Sequence, residues 1–244
     1  MTEAASPAQP AAVDGPPLAA VILDMDGLLI DTEPVWRAAE AEVFAELGTP
    51  LTDADMLTTM GRRITEVVAE WRTRRPWPSA ETGEPDDDTI AERVIDRMVA
   101  GVGAEGEPMP GVIGAVGLLQ RLGLPMAIAS SSPHRLIDSV CDRLGLAGIA
   151  IRCSATDEQD GKPAADVYLS AARQLGLDPA ACLAIEDSPN GVVAAKAAGM
   201  RCAAVPDPHL AGDARFARAD LVLRSLADLD ETALRSLGWR DPGP

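Results

Sequence analysis

With 244 residues, 47% of them hydrophobic, the chain can close a packed interior of its own, which excludes a small fold that depends on disulfide or metal staples. A formal net charge of −17 sets the long-range field against nucleic acid and anionic membranes as partners. A small anionic substrate then needs a site made locally positive by a metal, a lysine or helix N-termini.

Residues 1–17, "MTEAASPAQPAAVDGPP", read as a disordered Ala/Pro leader without the basic and apolar regions of a secretory signal. No apolar run approaches a membrane span, and the cytoplasm is the expected compartment. The first apolar run ends at Asp24 in "AAVILDMDGLLIDTEP"; its Val and Ile content and length predict a strand buried on both faces. Asp26 follows two positions later, before the turn residue Gly27. In open α/β sheets the carboxyl edge is where ligands bind, and two close acids repel unless a cation or a proton lies between them.

Thr32 to Leu47 carries Pro34 near its start, acids in the first turn and Gly48 after its end, the marks of a helix. Helical patterns continue through "DADMLTTMGRRITEVVAEWRTRR" and "DDTIAERVIDRMVAGV", with the acidic run Glu81 to Asp88 expected as a solvated loop between them. Trp71 and Trp77 are expected to pack within this helical unit. From Pro108 onward helices alternate with the short apolar runs "PMAIAS", "IAIRCS", "CLAIED", "RCAAVP" and "ADLVL". Such alternation predicts parallel strands with crossover helices. The expected architecture is a doubly wound parallel α/β sheet interrupted by a small helical cap: 18–31 and 107–240 as core, 32–106 as cap, 1–17 as leader. An insertion there can hang over the carboxyl edge as a lid.

Strand ends supply further chemistry: Ser130, Ser131 and Ser132 close one apolar run, and Glu186 and Asp187 close another. Lys162 lies in a loop before a helical pattern, in "DGKPAADVY". Carboxylates for a hard cation, a lysine for negative charge, and hydroxyls beside backbone N–H groups suit a phosphate with magnesium. His134 and His209 are too few for a cluster of imidazole ligands, so a metal must rely on oxygen. His134, beside the serines, is read as a helix-start residue. Cys141, Cys153, Cys182 and Cys202 are widely spaced and read as reduced. "GKP" is not a phosphate-cradling P-loop, since neither the upstream glycine nor the following Ser or Thr is present.

In order and spacing, "DMDGLLIDTEP", the serine of "AIASSSP", the lysine of "GKPAADVY" and the acids of "AIEDSPNGVVAAKAAGM" resemble the four motifs of the haloacid dehalogenase superfamily. The resemblance covers nearly the whole chain after Pro17. More narrowly it is similar to the sugar-phosphate phosphatases with a small helical cap. It implies that Asp24 is the nucleophile and forms an aspartyl-phosphate, and that Asp26 protonates the leaving alkoxide and then deprotonates water. It implies magnesium held by Asp24, the backbone carbonyl of Asp26 and Asp187, with Glu186 close behind. Lys162, Ser130 and the backbone near Ser131 then bind phosphoryl oxygens. The loop carrying Arg62 and Arg63 is expected to reach the site, where an arginine can bind the distant part of a sugar phosphate.

Two other readings stay open. A beta-phosphoglucomutase-like transferase resembles the chain, but the lysine that such enzymes carry three residues after the motif serine is Pro133 here, and their cap histidine is Trp36. A catalytically silent binding protein of the same fold is expected to lose Asp24, Asp26, Lys162 or Asp187, and all four are present. Dehalogenases generally lack an acid at the position of Asp26. The oligomeric state is open.

Overall fold

Ala20–Leu23 (β1) lies at the middle of a six-stranded sheet of order β3-β2-β1-β4-β5-β6, with every neighbouring pair parallel. The other strands are Met126–Ser130 (β2), Ile151–Ser154 (β3), Cys182–Glu186 (β4), Arg201–Ala204 (β5) and Leu221–Val222 (β6). They are the apolar runs of the sequence, and β1 and β4 are buried throughout. The structure, a computed structural model, describes residues 15–59, 62–77 and 85–241. Most of the expected leader, Gly61 and half of the acidic run at 81–88 lie outside the described residues.

Alternation along the strands divides the interior. Val21, Leu23, Ile128, Leu183 and Ile185 belong to one apolar cluster, and Ala20, Ile22, Ala127, Ala129, Cys182 and Ala184 to another. The second face is built mostly of small side chains and receives Asp166–Leu175 (to become α7) and Pro189–Ala197 (α8). Small residues there leave room for Tyr168, fully buried against the sheet. All four cysteines are free and buried.

Between β1 and β2 the chain forms Glu33–Glu46 (α1), Asp53–Leu57 (α2), Ile64–Arg74 (α3) and Asp87–Glu105 (α4), with no strand among the described residues. Val112–Arg121 (α5), His134–Leu144 (α6) and Glu231–Ser236 (α9) are the remaining α-helices among the described residues. Thr52 begins α2 with a reciprocal capping box to Asp55, and Asp86 begins α4 by accepting from the Thr89 N–H. Phe44, Trp71, Trp77, Val94 and Met98 of this insertion lie in the same apolar cluster as Val21 and Leu23. Burying each such side chain contributes about 1.5–3 kcal/mol, and α4 carries the insertion's main helix contact with the rest of the chain by packing on α6. Trp77 meets Phe44 edge-on at 5.7 Å, and Trp71 is likewise internal.

The chain runs from β1 outward to β2 and β3, then returns to the other side of β1 for β4, β5 and β6. Leu23 pairs with Ile128 on one side and Ile185 on the other. The carboxyl ends of β1, β2 and β4 therefore stand side by side where the winding reverses, the crevice in which open α/β sheets bind ligands. No helix among the described residues is long and apolar enough to cross a membrane.

Candidate active site

Asp24 leaves β1 still on the ladder, its N–H donating to the Ile185 carbonyl at 3.0 Å. Its side chain meets Lys162, from the loop before α7, at 2.5 Å. The same ammonium lies 2.6 Å from Glu186 Oε1 and donates to the Ala129 carbonyl at 3.0 Å. One lysine thus ties together the ends of β1, β2 and β4. Tyr168 adds a hydroxyl that donates to Glu186 Oε1 at 2.5 Å, while Ser188 donates to Oε2 at 3.1 Å and also caps α8.

Asp187 completes the group: one oxygen each from Asp24, Glu186 and Asp187 lies within 4.8 Å of the others. Two glycines make this proximity possible. Gly27 has φ +75, and a Cβ there would stand 2.2 Å from Asp187 Oδ2. A Cβ on Gly191, in the first turn of α8, would stand 1.8 Å from the Glu186 carboxylate.

Three buried carboxylates face one ammonium, so without a further cation Asp24 and Asp187 hold protons instead of full charge. Burial pushes the Asp24 carboxyl up to about 8, with Lys162 pulling it down and Glu186 raising it further. Burial, then the Asp24 and Glu186 charges, hold Asp187 well above the carboxylate range. For Lys162 burial opposes the charged form, yet the two carboxylates beside it outweigh that and raise its pKa. Such a surplus of oxygen donors in a dry pocket fits a hard divalent cation.

Asp26 stands apart from this cluster, its orientation fixed by four donors. Oδ1 accepts from Thr32 Oγ1 at 2.8 Å and Trp36 Nε1 at 3.1 Å. Oδ2 accepts from Ser132 Oγ at 2.8 Å and Ser130 Oγ at 3.3 Å. Thr32 is the N-cap residue of α1 but makes no capping bond, because its hydroxyl is directed to Asp26. Ser131 and Ser132 line the cleft above Asp24, Asp26, Lys162 and Asp187.

Across the cleft α1 presents Glu33, Trp36, Arg37 and Glu40, and the segment before α3 presents Thr59 and Arg62. The two arginines singled out in the sequence part here. Arg62 lines the cleft, paired with Glu66 at 3.5 Å and in closer contact with Glu70. Arg63 is not among the cleft residues; it donates to the Ala155 and Glu158 carbonyls at 3.3 and 3.2 Å and pairs with Glu66 at 2.5 Å. His134 pairs with Asp157 at 2.7 Å, also away from the cleft.

Sequence reasoning missed Thr32, Tyr168, Ser188, Gly191 and Glu40. Ser132 was readable in the serine run, whereas nothing local marks Tyr168, a helix residue whose partner comes from β4.

Residues 18–199, from the start of the sheet past the end of α8, match the family model of haloacid dehalogenase-like hydrolases, and the chain belongs to that family. It is 42% identical over 212 residues to hexitol phosphatase B of Escherichia coli (strain K12), a match covering 86% of this chain and 93% of that protein. The crystal structure of CbbY from Rhodobacter sphaeroides in complex with phosphate is similar with a TM-score of 0.79 at 30% identity, over 90% of this chain and 99% of that one. A beta-phosphoglucomutase from Clostridium difficile reaches a TM-score of 0.77 at 20% identity, covering 90% of this chain and 97% of that one, a likeness of fold alone.

Proposed function

We propose that this phosphoric monoester hydrolase is a magnesium-dependent phosphatase of small sugar or polyol phosphates that works through an aspartyl-phosphate on Asp24. The observation that carries the reading is the division of labour between two acids. Asp24 lies in the buried cluster with Lys162, and Asp26 is held outside it by four donors. An attacking carboxylate and a proton carrier are both needed, and they must not be the same group.

In this mechanism an Asp24 oxygen bonds to phosphorus as the ester oxygen leaves, and Asp26 gives that oxygen its proton. Asp26 then takes a proton from water as the water oxygen attacks the same phosphorus, which releases inorganic phosphate and restores Asp24. Lys162, Ser130 and the backbone N–H at Ser131 bind the phosphoryl oxygens, where transition-state charge collects. Asp24, Asp187 and the Asp26 backbone carbonyl would hold magnesium, with Glu186 behind, and the ion would supply positive charge for the incoming phosphate.

The division into a core of 18–31 and 107–240, a cap of 32–106 and a leader of 1–17 belongs to this reading, with specificity assigned to the cap. The cytoplasm suits four buried thiols. The mutase alternative lacks support at two places: Pro133 begins α6 where such enzymes carry lysine, and Trp36 donates to Asp26 where they carry histidine. The test is inorganic phosphate release by purified protein from hexitol, hexose, glycerol and aryl phosphates, with and without magnesium. Turnover of hexitol phosphate only with the metal is expected, and no release from any ester would overturn the reading.

A further inference from the structure

Glu40 lies on the cleft side of α1, two turns beyond Glu33, and retains only 8% exposure. Its Oε2 is buried without a hydrogen-bond partner among the described residues. A polar atom in that state costs about 1–3 kcal/mol, and more when charged. Alanine or leucine would satisfy the helix at lower cost. Met56, Ile64 and Val67, which offer no hydrogen bond, line the same cleft. Of the cleft's cations, Lys162 is held by Asp24 and Glu186, Arg62 is engaged by Glu66 and Glu70, and Arg37, one turn before Glu40 on α1, draws the Glu33 carboxyl down.

We propose that Glu40 is a specificity-determining residue that binds a hydroxyl on the alcohol half of the substrate. The inference rests on the phosphatase reading and narrows it to phosphate monoesters whose far end is uncharged and hydroxylated. Burial, reinforced by the Glu33 charge, pushes the Glu40 carboxyl up to about 8, so near neutral pH it keeps its proton and can both donate and accept. A hydroxyl has the same two capacities. A second phosphate or a carboxylate at that end can only accept, so it leaves the acceptor side of Glu40 unmet, and a site with unmet polar groups rejects ligands that leave them unmet.

The experiment compares wild type, Glu40→Met and Glu40→Gln in magnesium, by phosphate release from a hexitol phosphate, a hexosamine phosphate, a sugar bisphosphate and an aryl phosphate. Glu40→Met keeps side-chain length but removes the polar atoms. It is expected to lower kcat/KM for the hexitol phosphate, relative to the aryl phosphate, at least about tenfold, as loss of one buried hydrogen bond implies. Glu40→Gln, which still donates and accepts, is expected to hold that ratio within about threefold, and Glu40→Leu, expected to lower it as Glu40→Met does and to overturn the assignment if it does not, covers the case in which the Met variant does not fold. An unmoved ratio in Glu40→Met overturns the assignment. So does wild-type preference for the hexosamine ester, which would make Glu40 a partner for an ammonium, or equal turnover of the bisphosphate. If wild type releases phosphate from none of the four esters, the phosphatase reading falls and takes this one with it. Turnover with an unmoved ratio removes Glu40 alone.

Discussion

On the sheet side of the cleft Asp24, Glu186 and Lys162 are locked to one another and to Tyr168, whereas on the helical side Glu40 is buried with an oxygen that has no hydrogen-bond partner among the described residues. The helical side also carries its charges differently. Arg62, Arg72, Arg75 and Arg97 are partly exposed and pair with acids of the same insertion. Such pairs are worth about 0–1 kcal/mol each. The difference separates two tasks. On the proposed function, the locked side would serve any phosphate ester, because it would touch only the part all esters share. The side with the unmet group would distinguish one alcohol from another.

The largest effect tests the first half of that contrast. Asp24→Asn should lower turnover of every ester by at least about 10³-fold, as removal of a nucleophile does. It should leave the fold intact, since the amide replaces one of three crowded acids. Phosphate release and thermal melting check both parts, and near wild-type turnover on a folded protein would disprove a covalent role for Asp24.

Removing Lys162 attacks the locked side through stability. Lys162→Met leaves Asp24, Glu186 and Asp187 without their cation, a loss expected to cost about 3–5 kcal/mol in urea unfolding at neutral pH. Added magnesium should restore part of it, because the metal replaces the missing charge. Equal destabilisation with and without magnesium would show that these acids do not hold the metal.

The locked side was largely legible in the sequence, and the reason is geometric. Asp24, Ser130 and the Glu186–Asp187 pair each end an apolar run, and parallel strands bring all run ends to one edge. Lys162, which ends no strand, was legible as a lysine in the loop before a helical pattern and by its place in the motif order. Thr32 resembled an ordinary N-cap, and its hydroxyl turns to Asp26 only because the turn at Gly27 folds the chain back. Glu40 in "AAEAEVFAEL" has the look of a surface glutamate, with Glu42 and Glu46 of the same helix pairing with Arg97 outside. Which glutamate faces inward depends on where α3 and α4 pack, and that is tertiary information.

Glu40 also yields a pH signature for the open side. In the unfolded chain it releases its proton near 4.5, in the folded protein near about 8. Below the first value both states are protonated and its contribution to stability is complete. Between the two the folded state alone holds the proton, so stability falls as pH rises. Glu40→Gln removes that fall, and its stability relative to wild type should rise from pH 5 to pH 8 by on the order of a few kcal/mol. Glu33, pushed up to about 7 by burial and drawn down by Arg37, faces the same cleft and raises the Glu40 pKa, so the difference reports Glu40 together with its coupling to Glu33. A constant difference across this range would place Glu40 in water.

The smallest effects belong to the two arginines, and they divide the helical side itself. Arg63 reaches from the start of α3 to carbonyls after β3, on the core, and contributes nothing to the cleft wall. Its loss in Arg63→Ala should cost about 1 kcal/mol of stability, the net worth of such bonds. It should raise KM for all esters alike, because the whole helical wall loses an anchor. Arg62 lines the cleft, so Arg62→Ala should change kcat/KM for a hexitol phosphate more than for an aryl phosphate, by about threefold given its partners Glu66 and Glu70. The two variants measured side by side on the two esters resolve the pair. A shift in ester preference from Arg63→Ala, with none from Arg62→Ala, would mean that the anchor shapes the alcohol site and the wall residue only balances its glutamates.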